Sequence, residues 1–223
     1  MKLLLERGAD ININTFNGCS PLFLASGNDS EDAFFLLLNK GANINAVNDD
    51  GAGPLYRASC YGFLNYVKAL LDRGANIDAV TKGGFSSLYI AAQNNHLEIV
   101  NELIKRGANV DLADYNSGVT ALYTSSQKGN DCVEALIKGG ANIEHKDKKS
   151  QCTPLYTATQ NGHLSTIRLL LESGANINSK TSNNCTSIYV ASGNNHEEVF
   201  FELLSRGAEI NTPTDESSTC LYR

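Results

Sequence analysis

A period of about 33 residues runs through the whole chain and limits the folds that the chain can adopt. A glycine at the end of each unit marks this period, at Gly8, Gly41, Gly74, Gly107, Gly140, Gly174 and Gly207. An aliphatic residue near the start of each unit keeps the same spacing, at Leu22, Leu55, Leu88, Leu122, Leu155, Ile188 and Leu221. Because two columns share one period, the chain is a series of copies of one supersecondary unit.

The segment 154–178 shows what one unit is expected to form. Leu155 lies on the apolar face of a short first helix, which Gly162 ends because glycine adopts a positive φ without strain. Leu170 belongs to an apolar face with the spacing of a second helix. Gly174 then ends that helix as a left-handed residue. Each unit is therefore predicted to be two helices, followed by a reversal of the chain.

The units open with similar six-residue motifs. These are SPLFLA from Ser20, GPLYRA from Gly53, SSLYIA from Ser86, TALYTS from Thr120, TPLYTA from Thr153 and TSIYVA from Thr186. These motifs, and the GANIN sequences that end several units, resemble the ankyrin repeat family from end to end. The resemblance implies an all-α fold, an α-solenoid of stacked helix-turn-helix repeats with projecting β-hairpin loops. The motif's usual histidine is Phe23 or a tyrosine here, so the family's Thr–His hydrogen bond is in question.

The period predicts a single solenoid domain over residues 1–223, with a partial repeat at each end. The boundaries are 1–14, 15–46, 47–79, 80–112, 113–145, 146–179, 180–211 and 212–223. Both ends lack the polar capping repeats that keep solenoids soluble. We therefore expect either a piece of a longer array or an array completed by contacts between molecules.

Two further columns of residues carry structural expectations. The opening aliphatic residues and an aliphatic pair in each second helix, such as Leu70-Leu71 or Leu103-Ile104, are expected to form the core. The turn between the two helices should hold a residue with a left-handed backbone. In every full repeat the residue at this position is Gly, Asn or Asp, the types that tolerate that conformation best. That column is Asp29, Gly62, Asn95, Gly129, Gly162 and Asn195.

Composition excludes several classes of function. A net charge of −6 argues against general nucleic-acid binding, which needs a basic surface. No apolar run approaches the length of a membrane span. The six cysteines are scattered without a CxxC pair, which favours a reducing, cytoplasmic location.

The sequence predicts no enzyme, no metal and no cofactor. No HExxH, GxSxG, P-loop or GxGxxG pattern is present. His96, His163 and His196 share one column near the start of the second helices and are interpreted as structural polar residues. His145 and the basic run 146–149 are expected to be a solvated hairpin tip. No cysteine is expected to have a histidine at a repeat-matched neighbouring site, so no catalytic Cys–His pair is expected.

The resemblance implies that a protein or peptide partner binds on a concave face made of hairpin tips and the exposed sides of the first helices. The candidate partner-binding residues on that face are Leu24, Arg57, Tyr61, Phe85, Ile90, Gln93, Val119, Gln127 and Lys128. Aromatic and arginine residues favour binding hot spots. For Phe85 and Val119, packing against neighbouring hairpins is an open alternative.

Similar repeats are hydroxylated on a hairpin asparagine, and the matching positions are Asn45, Asn178 and Asn211. Hydrogen bonding within the hairpin accounts for the same residues without modification.

The leading hypothesis is a non-catalytic protein–protein interaction scaffold. One alternative is a targeting or regulatory segment of a larger enzyme, channel or effector. The other is a self-associating spacer, in which Leu221-Tyr222 of one chain continues onto the helix at 1–7 of another.

Overall fold

The computed structural model describes residues 1–215, and within them it contains thirteen α-helices and no extended strand. In chain order the helices are α1 (Lys2–Glu6), α2 (Pro21–Ala25), α3 (Glu31–Asn39), α4 (Pro54–Tyr61), α5 (Leu64–Asp72), α6 (Ser87–Gln93), α7 (Leu97–Lys105), α8 (Ala121–Lys128), α9 (Cys132–Lys138), α10 (Pro154–Gln160), α11 (Leu164–Glu172), α12 (Ser187–Gly193) and α13 (Glu197–Ser205). The predicted all-α fold of helix pairs is confirmed. The self-association prediction falls on Leu221 and Tyr222, outside the described residues.

The chain divides into two compact units, one covering Met1–Asn109 and one beginning at Val110. In the first unit α4 packs against α2 and α6, and α5 packs against α7. In the second unit α10 packs against α8 and α12, and α11 packs against α13. Within each unit the first helices of successive repeats are thus side by side. A single solenoid across both units stays a prediction.

The opening motif sets where each first helix begins. The Ser86 hydroxyl accepts a hydrogen bond from Tyr89 N at 3.0 Å, and the Thr153 hydroxyl accepts one from Tyr156 N at 3.2 Å. These are N-cap bonds, which satisfy a backbone donor that the helix itself leaves free. A proline occupies the first turn in α2, α4 and α10, where its missing N–H has no cost.

Left-handed residues end the helices as predicted, with one exception. The seven period-defining glycines all have φ between 83° and 96°. The predicted turn residues from Gly62 onward have φ between 58° and 81°. Asp29 does not have a positive φ, so that prediction is wrong. Here α2 already ends at Ala25, and Ser30 N donates to the Asn28 carbonyl oxygen instead of to a carbonyl of the helix.

The core follows the predicted columns. The opening aliphatic residues from Leu22 to Ile188 are buried. In the second helices after α3, one leucine of each pair is buried and its neighbour is partly or largely exposed, as for Leu70 and Leu71. In the first unit the rings of Phe34 and Tyr66 stack with centroids 4.0 Å apart. This aromatic pair joins α3 to α5.

The predicted β-hairpin loops are tight turns that a few hydrogen bonds close. Thr81 N donates to the Phe85 carbonyl oxygen at 3.1 Å, and Phe85 N donates to the Thr81 hydroxyl at 3.2 Å. In the longer loop before α10 an aspartate takes this role, since Asp147 accepts from Cys152 N at 2.6 Å. Asp147 is buried, so the expectation of a wholly solvated tip at 146–149 is wrong for this residue.

Candidate partner-binding surface

A groove of about 420 Å³ lies in the first unit, between α2, α4 and the loops that precede α4 and α6. We call it the arginine groove. Its aromatic walls are Phe23, Tyr56, Tyr61 and Phe85, and its polar rim includes Asn48, Asp50 and Lys82. First helices and loop tips together form this surface, as the ankyrin resemblance implied for the partner-binding face.

Arg57 lines the arginine groove and contacts two of its aromatic rings. Its guanidinium carbon is 4.6 Å from the centroid of the Phe23 ring and 5.3 Å from that of Tyr61. Its Nε atom is buried without a hydrogen-bond partner among the described residues. A Cβ atom at position 27 would overlap Nε, so Gly27 leaves the space that the side chain occupies. The guanidinium is therefore held between two aromatic rings, in space that is open because residue 27 is glycine.

Tyr56 lines the same groove with a protonated phenol. Burial, with smaller contributions from Cys60 and Tyr89, raises the pKa of Tyr56 to about 12. The phenol is therefore a neutral hydrogen-bonding group over the physiological pH range.

The structure brings together three of the predicted partner-binding residues and removes one from the surface. Arg57, Tyr61 and Phe85 all line the arginine groove. Tyr61 is 53% exposed, whereas Phe85 is half-buried, with its ring 5.0 Å from that of Tyr89. Ile90, in α6, is only 9% exposed. Ile90 therefore offers almost no surface to a partner, contrary to expectation.

The other predicted residues lie elsewhere. Leu24 is 37% exposed and lines a separate groove of about 410 Å³ near Ile13 and Pro21. Gln93 is half-buried at the end of α6. In the second unit Val119 is half-buried, and Gln127 and Lys128 are exposed at the end of α8.

The histidine column has the structural role that the sequence suggested. His96, His163 and His196 immediately precede α7, α11 and α13. Each ring places Nε2 within 2.9–3.1 Å of a carbonyl oxygen in the preceding repeat. The acceptors are Cys60, Gln127 and Gln160. These imidazoles join successive repeats within each unit.

Two expectations about histidines are wrong. His96 is a repeat-matched neighbour of Cys60, because its Nε2 is 3.0 Å from the Cys60 carbonyl oxygen. This contact is with the backbone and is not a catalytic Cys–His pair. His145 is not simply solvated, since its Nε2 is 2.8 Å from the Gly118 carbonyl oxygen. Residue spacing alone did not reveal this contact.

The hairpin asparagines join repeats as well. Asn45 Oδ1 accepts from Asn76 N at 3.0 Å, and Asn178 Oδ1 accepts from Glu209 N at 3.0 Å. The matching side chains of Asn12, Asp78, Asp111 and Glu144 accept equivalent bonds from the next repeat. The sequence predicted a bond within the hairpin and missed that it crosses to the neighbour. Hydroxylation of Asn45 and Asn178 stays a prediction.

Within residues 1–215, no group of three or more His, Cys, Asp and Glu side chains is arranged to hold a metal ion. Over the same range, the helices are too short or too polar to cross a membrane.

Comparisons with known proteins agree with this architecture. The family model "Ankyrin repeats (3 copies)" matches residues 1–81, 78–147 and 142–214. A solved structure of the ankyrin repeat domain of Bcl-3, described as a unique member of the IkappaB protein family, is 25% identical in sequence. That match covers 92% of this chain and 93% of the other, with a TM-score of 0.82. A search of curated proteins found no match.

Ankyrin repeats are protein–protein interaction modules and are generally non-catalytic. The three matches of the family model together span almost all of the described residues. The chain therefore belongs to the ankyrin repeat family.

Proposed function

We propose that this chain is a non-catalytic interaction module that binds a protein or peptide partner along its first helices and loop tips, the concave face expected of an ankyrin stack. The arginine groove is the observation that carries the proposal. It places Arg57, Tyr61 and Phe85 on one surface of the first unit, with Tyr61 more than half exposed.

The physical support is the kind of side chain that the groove presents. Aromatic and arginine residues dominate binding hot spots, because they bury large areas and still offer polar contacts. A groove of about 420 Å³ accommodates a few side chains of a partner. In the second unit, exposed Gln127 and Lys128 extend the set of candidate contacts.

We also propose a reducing, cytoplasmic location for the module. The five cysteines within the described residues are all free thiols, and two of them, Cys132 and Cys152, are buried. Free thiols of this kind persist where the cell keeps cysteines reduced.

Site-specific photo-crosslinking tests the proposed surface. One variant carries a photo-reactive residue in place of Tyr61, and a matched variant carries it in place of Lys68, which is exposed on α5. We expect position 61 to capture a discrete partner from lysate of the source cells, and position 68 not to capture it. The double variant Tyr61→Ala, Phe85→Ala should bind that partner at least about tenfold more weakly.

Capture of the same partner from position 68 alone, or equally from both positions, would place the binding surface on the second helices and refute the proposal. Circular dichroism of each variant controls for loss of the helical fold.

A further inference from the structure

Arg57 differs from the arginines that lie along the second helices. Arg106 bonds Asp72 and Glu102, and Arg206 bonds Glu202 and Glu172. The Arg57 side chain forms no hydrogen bond or ion pair with any of the residues 1–215, and its Nε is buried. A buried donor without an acceptor costs free energy, so Arg57 lacks the compensation that the carboxylates give to Arg106 and Arg206.

The surroundings of Arg57 restrict what that acceptor is. Phe23 and Tyr61 both lie within cation–π distance of the guanidinium, so these contacts engage its π system and not its N–H donors. The donors of a guanidinium lie in its plane and match the two oxygens of a carboxylate. Of the charged residues that line the groove, Arg57 and Lys82 are cations and only Asp50 is an anion. The local charge therefore favours an anionic group, although the chain as a whole carries −6.

We propose that the arginine groove recognises an acidic peptide segment, in which an Asp or Glu side chain binds Arg57 and an adjacent apolar side chain packs against Phe85. This inference rests on the proposed interaction function and names the chemistry of its ligand. The carboxylate supplies the acceptor that Arg57 lacks within the described chain. The half-buried Phe85 ring supplies apolar area beside it.

The probe is an array of short peptides, acetylated and amidated so that only side chains carry charge. Each peptide has one Glu beside an apolar residue, and each has a twin with Gln in place of the Glu. We expect Glu peptides to bind at least about tenfold more tightly than their twins, since a charged hydrogen-bond pair is lost in the twin. Their affinity should fall as salt is raised.

Two arginine variants with the same change of charge make the test specific. Arg57→Met should reduce binding of the Glu peptides to the level of the Gln twins. Arg73→Met, which removes an arginine that bonds Asn39 on the second helices, should leave peptide binding unchanged. Circular dichroism confirms that both variants keep their helix content.

Equal affinity for Glu and Gln peptides, or equal losses in the Arg57 and Arg73 variants, overturns the inference. If such charge-independent binding still falls in the double variant Tyr61→Ala, Phe85→Ala, the groove remains a binding surface and only its acidic preference is refuted. Absence of binding by every Glu peptide also overturns the inference. Crosslinking from position 61 then tests separately whether the groove binds a partner at all.

Discussion

The imidazole of His96 lies against the α-carbon of Gly62, so closely that a Cβ atom at position 62 would be 2.8 Å from His96 Cε1. Gly129 and His163, and Gly162 and His196, form the same pair in the second unit. In every case the histidine belongs to the repeat that follows its glycine, just after the equivalent turn. A side chain at the glycine position is therefore disfavoured for two reasons: the backbone has a positive φ, and the imidazole of the next repeat occupies the space of a Cβ atom.

Comparing alanine at position 62 with alanine at position 74 should separate the backbone strain from the steric clash. Gly62→Ala introduces both backbone strain, about 1–2 kcal/mol at a left-handed position, and a clash with His96. Gly74 has a similar φ of 83°, but a Cβ atom added there would meet nothing within 4 Å, so Gly74→Ala carries the strain alone. We expect Gly62→Ala to cost at least about 1 kcal/mol more than Gly74→Ala in urea unfolding.

The double variant Gly62→Ala, His96→Ala provides the control for that clash. Removing the imidazole should bring the cost of alanine at position 62 down to that seen at position 74. If the cost of Gly62→Ala is the same with and without the histidine, the steric account of the pair is wrong.

Gly27→Ala should affect binding much more than stability. Gly27 does not have a positive φ, so alanine brings no left-handed strain. The new Cβ would overlap Arg57 Nε, and a long side chain relieves that overlap by moving. We expect urea unfolding to change by less than about 1 kcal/mol, while binding of acidic peptides falls toward the level of Arg57→Met. Unchanged peptide binding would contradict the position assigned to the guanidinium.

Asn45→Ala should weaken the connection between two repeats of the first unit. It removes the acceptor for Asn76 N, which costs about 1 kcal/mol for a bond of this kind. Asn45→Asp keeps an oxygen at the same place, as Asp78 does for Asn109 N. We expect urea unfolding to show the loss for alanine and little change for aspartate. If alanine and aspartate lower the free energy of unfolding equally, the Oδ1 acceptor is not what stabilises this contact.

Cys152 should resist alkylation by iodoacetamide in the folded protein. Burial, followed by the nearby carboxylate of Asp147, raises the pKa of its thiol from 9.0 to about 12. Because the thiolate is the reactive form, labelling at pH 8 should be at least about tenfold slower than for an accessible thiol. Cys185 is the matched comparison, since it holds the same loop position one repeat later and is half-buried.

Both thiols should react at similar rates in urea, which controls for intrinsic reactivity. The raised pKa also predicts a loss of stability as pH rises from about 9 toward about 12, because the unfolded chain releases the proton of Cys152 before the folded chain does. Equal labelling of Cys152 and Cys185 in the folded state would contradict the burial that raises this pKa.

The period predicted the helix pairs, their ends and most of the core, because those features depend on local backbone geometry and on spacing. Asp29 was predicted wrongly since its side chain tolerates a left-handed backbone but does not require one. The sequence did hold a signal for the histidine contacts. Each of the three column histidines has a glycine at the turn of the preceding repeat, whereas Phe63, in the same column, has Asp29 there.

The arginine groove was predictable only in part. The ankyrin resemblance pointed to Arg57, Tyr61 and Phe85, but it also pointed to Ile90, which is buried. Sequence spacing gives the face of a helix and not how far a neighbouring helix covers it. The stacking of Phe23 on Arg57, and the space that Gly27 leaves, depend on two separate parts of the chain coming together, the end of α2 and α4.

The bonds from Asn45 and its counterparts end on backbone amides, which every residue except proline supplies. This bond between repeats therefore does not depend on which side chain follows. A gene that duplicates, deletes or exchanges a whole repeat leaves this bond pattern intact, while the surface residues of the new repeat are free to diverge. Such an array lengthens or changes specificity by recombination, without this bond having to evolve anew each time.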